Sequence, residues 1–151
     1  EYAKYYSGRG KSYSALKKHS YAQGDFDQAI SRDANNAEYH LLKGNDFFIQ
    51  GMYNSAEKNY TKSLSLKKSA VAFYKRGNAK YMSFQIADAI NDYTNAIIWN
   101  PSYAKAYRNR GIAKYETCKD GACEDLKKAG NLGDSKAYKE YLRIKNKGEC
   151  K

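Results

Sequence analysis

The chain of 151 residues holds one proline, Pro101, and no stretch rich in glycine, serine and proline, so nothing in it reads as a flexible linker between domains. No window approaches the run of about 18 apolar residues that a membrane-spanning helix needs. The charged and apolar regions of a signal peptide are missing too. There are only two histidines, His19 and His40, and neither sits in a His/Cys/Asp/Glu cluster with metal-ligand spacing. Glycine-rich phosphate loops and nucleophile elbows are absent. With the usual marks of catalysis missing, no enzymatic activity and no cofactor are expected.

What the chain does have is basic charge, tyrosine and a repeat. Lysine and arginine number 27 against 16 acidic residues, a formal net charge of +11 that favours an anionic partner. Tyrosine contributes 16 residues to a hydrophobic content of 42%. The length suits one domain with a real core.

Self-comparison exposes the period. Tyr74-Lys75-Arg76-Gly77-Asn78-Ala79-Lys80-Tyr81 returns as Tyr107 to Tyr115, and more loosely as Leu42 to Phe48. Gly10, Gly44, Gly77 and Gly111 form one row with steps of 33 or 34 residues. Ala22, Ala56, Ala89 and Ala122 form a second, and Phe26, Tyr60, Tyr93 and Leu126 a third. A competing register for the first unit, built on Gly24 to Ile30, would require a deletion. Repeats therefore run at about 3–36, 37–69, 70–103 and 104–135, within a single domain of residues 1–151. Apolar and small residues recur within each unit at the three-and-four spacing of a helix face, so each unit is expected to be a helical hairpin. A lone hairpin cannot bury its apolar face, and stacking is obligatory. Ala137, Tyr141, Leu142 and Ile144 give one more apolar stripe, a capping helix at about 135–147.

In the third unit Phe73, Gly77, Ala89, Tyr93, Ala96 and Pro101 follow the aromatic, glycine, alanine, aromatic, alanine, proline order of the tetratricopeptide repeat, which the chain resembles over about nine tenths of its length. The second unit departs with Ser63 and Lys68, the first with Ala34, and the fourth with Asp134 and a shortened inter-helix turn. A basic residue, Arg9, Lys43, Arg76 or Arg110, precedes the glycine in every unit, as in many bacterial members. The resemblance implies an all-α, right-handed solenoid of four hairpins and a cap. Because the first residue is Glu1 rather than Met, removal of an upstream segment, an export signal included, is an expectation, and with it a bacterial periplasmic or secreted location.

The resemblance also implies that the first helix of each unit lines a concave groove receiving a peptide or helix of a partner protein. The register places Asn45, Phe48, Tyr74, Lys75, Asn78, Tyr81, Lys105, Arg108, Asn109 and Tyr115 there. The cations among tyrosines suit an acidic segment. The two-carboxylate clamp of chaperone-binding members falls on Leu41, Asn45, Lys75, Lys105 and Asn109, and keeps only Asn45 and Lys105, so chaperone-tail binding is not implied. Self-association through the uncapped first unit is a further expectation. The rival is non-specific binding of nucleic acid or another polyanion through the basic surface. Against it, the tyrosine rows occupy packing positions and lysine is spread through all units. A bridge from Cys123 to Cys150 would staple the cap to the last unit, but the sequence leaves the pairing of Cys118, Cys123 and Cys150 open.

Overall fold

The computed structural model describes residues 2–150, and the expected domain limits at residues 1 and 151 lie outside them. Among these residues there are nine α-helices and no strand: α1 (Tyr2–Ala15), α2 (His19–Arg32), α3 (Ala37–Ile49), α4 (Tyr53–Leu66), α5 (Ala70–Met82), α6 (Ile86–Trp99), α7 (Ala104–Glu116), α8 (Ala122–Asn131) and α9 (Ser135–Asn146). Each odd-numbered helix packs on the even-numbered helix after it, the hairpins stack in chain order, and α9 packs on α8. The result is a right-handed α-solenoid. The first helices of successive hairpins also touch, α1 with α3 and α3 with α5, while the second helices make no comparable contact among the described residues. The stack therefore curves with the first helices on its inner side.

Local chemistry sets the helix ends. Asn36, Ser69 and Asp134 accept a backbone N–H with their side chains at the starts of α3, α5 and α9, satisfying donors that a helix start leaves unpaired. Inside every hairpin a left-handed residue, Lys17, Gly51, Phe84 or Cys118, stands two positions past the end of the first helix. The amide after it donates to a carbonyl five residues back, as Gln85 does to Lys80 at 2.9 Å. Only the second hairpin uses glycine at this position.

The glycine row sets the distance between paired helices. A Cβ placed on Gly44 or Gly77 would lie 2.7 or 2.8 Å from the ring of Tyr60 or Tyr93, and one on Gly10 would lie 2.8 Å from Phe26. Both tyrosine rings are buried, and their hydroxyls donate to Asn45 and Asn78 at 3.0 Å, so neither polar tip is left unsatisfied. Ser63, the departure from alanine in the second unit, donates across the hairpin to the Ala37 carbonyl at 2.8 Å.

The basic residue before each glycine is a structural element. The guanidinium of Arg9 donates twice to Asp25, that of Arg76 twice to Asp92 and that of Arg110 twice to Asp125, each pair at 2.7 and 2.8 Å. These aspartates are buried, and Lys80 and Lys114 approach two of them at 3.3 and 2.9 Å. In the second unit this row holds Asn59, and Lys43 turns instead to the exposed Asp27. Two parallel charge-assisted bonds fix the mutual register of the two helices in three of the four hairpins.

At the C-terminal end Ala137 and Ile144 of α9 are fully buried in a cluster with Leu126 and Ala129. Cys123 of α8 and Cys150, beyond α9, are joined by a disulfide, and Cys118 is an exposed free thiol in the α7–α8 turn. At the other end Tyr2, Tyr5, Leu16 and Tyr21 are exposed.

Two outcomes follow for stability. Arg76→Met leaves Asp92 buried with only Lys80 beside it and costs about 3 kcal/mol in chemical denaturation, whereas Lys43→Met, opposite an exposed aspartate, costs less than about 1 kcal/mol. Opening the disulfide frees a loop of 27 residues, a loss of about 3–4 kcal/mol by chain entropy. Hydrogen exchange should show it first in α8 and α9, with α5 and α6 unchanged.

Candidate binding groove

The inner face of α3, α5 and α7 is built by the repeat itself, since residues one period apart stand side by side on neighbouring first helices. Asn45, Asn78 and Ile112 form one such row, and Phe48, Tyr81 and Tyr115 another. Between them lies a recess of about 230 Å³ lined by Phe48, Asn78, Tyr81, Met82, Tyr93, Asn109 and Ile112. Phe48, Asn78, Tyr81 and Asn109 were placed in the groove from the sequence. Ile112, the apolar member of the asparagine row, faces the groove by register as well, whereas Met82 and the packing residue Tyr93 line the recess without a signal in the spacing.

The polar atoms around the recess are largely held. Asn78 Oδ1 accepts from Tyr93 at 3.0 Å and from Asn109 Nδ2 at 2.9 Å, and the same Nδ2 lies 3.3 Å from the Tyr74 hydroxyl. The Tyr81 hydroxyl donates to Glu116 at 2.7 Å. Burial first and that carboxylate second push its pKa up to about 12. Recess walls are thus mainly carbon, with the Asn78 amide exposed to a ligand along one side.

Three of the expected contact residues have other partners. Tyr74 is buried against Tyr93 and Tyr103, with ring centroids 6.0 and 5.0 Å away, so it packs between hairpins rather than facing the groove. Arg108 is bound to Asp134 at 2.7 Å, tying α7 to the start of α9, and is a structural cation. Tyr115 donates to Glu149 of the C-terminal tail, with the Arg143 guanidinium over its ring. Each of these residues lies on the expected helix, but its neighbour takes up the group that a ligand would need.

Lys75 and Lys105 differ from these. Lys75 is half-buried, Lys105 is exposed, and neither has an acidic side chain within ion-pair distance among the described residues. Burial, and then the nearby charge of Lys105, lower the Lys75 pKa from its ordinary value. Two cations held together on a concave surface, one of them partly desolvated, form a site that attracts an anion.

No family model matches the chain. RNA polymerase II-associated protein 3 of Xenopus tropicalis is 37% identical over 112 residues, which is 72% of this chain and 17% of that protein. The chain spans about a fifth of the length of the curated relatives it matches. Among solved structures, the MamA crystal structure is similar with a TM-score of 0.86 and 27% identity, covering 99% of this chain and 84% of that one. The first TPR of Spaghetti (RPAP3), solved bound to the HSP90 peptide SRMEEVD, gives a TM-score of 0.67 and 30% identity over 76% of this chain and 94% of that domain. The glycine-to-ring contact repeated along stacked hairpins, and the likeness to a solved TPR domain almost wholly spanned by this sequence, lead to one assignment: the chain belongs to the tetratricopeptide repeat family.

Proposed function

We propose that the chain is a protein-interaction module whose concave face, between α3, α5 and α7, binds a peptide or helix of another protein, and that the bound segment is acidic. The observation that carries this reading is the pair Lys75 and Lys105, which lack an acidic partner among the described residues and stand beside an apolar recess. Holding a cation partly out of water next to a like charge is unfavourable, and an arriving carboxylate relieves both penalties. The RPAP3 domain bound to SRMEEVD supports an acidic peptide as the ligand class. The side chains around the lysines differ from the two-carboxylate clamp at Leu41, Lys75 and Asn109, so the ligand need not be the same peptide.

A Lys75→Ala, Lys105→Ala variant should lose a bound protein partner by at least tenfold in pull-down at moderate salt, with Lys128→Ala on α8 as the control that keeps it. Equal recovery by all three would move the site off the concave face. Recovery of nucleic acid alone, with a steep loss on adding salt, would put the polyanion reading in its place.

Lys75 also gives a pH-dependent signature. Its folded pKa lies below the unfolded value of about 10.5, so the unfolded chain holds that proton more tightly and stability rises with pH between the two values. Lys75→Met should therefore raise the Tm at neutral pH while weakening binding, and the gain should shrink as pH climbs through that window. A lower Tm at pH 7 would show that the lysine stabilises the free protein.

A further inference from the structure

The concave face is polar at one end and apolar at the other, along the helix axes. Lys105 stands at the start of α7 and Lys75 midway along α5, while Met82 and Ile112 line the recess further along the respective helices. Each of these pairs is seven residues apart in its helix, about 10 Å at 1.5 Å per residue. Beyond the recess Glu116, exposed at the end of α7, accepts the Tyr81 hydroxyl, so negative charge is already fixed there. An acid is attracted at one end of this track and repelled at the other.

On α7 the planar donors that could grip a chain-terminal carboxylate are engaged. Arg108 is bound to Asp134, and Asn109 Nδ2 to Asn78 and Tyr74. Two lysines remain, each a point charge without the planar fork that fixes a carboxylate in one orientation. They suit side-chain carboxylates on a segment that continues past them. The Asn78 amide, its oxygen already holding two donors, keeps its N–H groups for the segment's backbone.

Resting on the reading above, we infer that the groove recognises an internal, extended segment in which an acidic side chain and a large apolar side chain lie about three positions apart. The acid sits at Lys75 and Lys105, and the apolar side chain fills the recess between Phe48, Met82 and Ile112. The spacing comes from the 10 Å separation divided by a rise of about 3.3 Å per residue in an extended chain. Met82, unbranched and partly exposed, adapts the wall to aromatic or aliphatic occupants. The free C-terminus plays no part.

The test uses fluorescein-labelled Gly/Ser host peptides carrying one Glu and one Phe, placed one to six positions apart in both orders, each with a free and with an amidated C-terminus. Anisotropy should show affinity peaking at a separation of about three, in one order only, at least tenfold above the Glu-only peptide and unchanged by amidation. Ile112→Ala, which adds no charge, should lower the peak towards the affinity of the Glu-only peptide. Lys75→Glu with Lys105→Glu should transfer the preference to peptides with Lys in place of Glu. Affinity that follows charge and ignores spacing, while still depending on the two lysines, would overturn the inference and leave the acidic-segment reading standing. Dependence on the free carboxylate would also overturn it. Absence of binding by every peptide, at concentrations where circular dichroism shows both variants folded, would overturn inference and reading together.

Discussion

A glycine on the first helix facing a ring or a leucine on the second fixes the separation of the helices, and other features of the fold follow from that distance. With a Cβ at Gly44 or Gly77, the ring of Tyr60 or Tyr93 would have to give way. Because the ring stays, its hydroxyl reaches Asn45 or Asn78, and the asparagine on the inner face is held from behind. The helix-breaking cost of a mid-helix glycine, about 1 kcal/mol against alanine, is offset by this close packing. The same approach brings Arg76 within reach of Asp92, so the ion-pair row depends on the glycine row.

The features legible in the sequence were those carried by identity at a fixed step. Gly10, Gly44, Gly77 and Gly111 declare the period, and the small and aromatic rows declare which helix faces which. The aspartate row Asp25, Asp92 and Asp125 keeps the same step opposite the arginine row, but Asn59 breaks it in the second unit. Side-chain commitments were less legible. Nothing in the spacing distinguishes Arg108, taken by Asp134 in the α8–α9 turn, from Lys105, which is left without an acid among the described residues. That difference arises from where a neighbouring unit's residue falls in space. Tyr74 was placed in the groove by register, but its ring is turned between hairpins against Tyr103.

Repeat architecture explains why the candidate site lies over the third and fourth units. There the asparagine row changes to Ile112 and Tyr81 walls the recess, while the lysines lack acids. In the first unit, by contrast, Tyr5, Tyr6 and Tyr13 cluster around Arg9, whose guanidinium lies 5.2 Å from the Tyr5 ring and is held by Asp25. One backbone plan thus carries a self-satisfied surface at one end and an unsatisfied one further along, and only substitutions within the rows separate them.

The disulfide between Cys123 and Cys150 has a mechanical consequence. Tension applied at Cys150 enters the solenoid through α8, bypassing α9, which then carries no load. The last helix cannot be peeled away as the first step of forced extension. Under pulling the C-terminal end yields only by parting α8 from α7, with α9 and the tail leaving as one piece with α8.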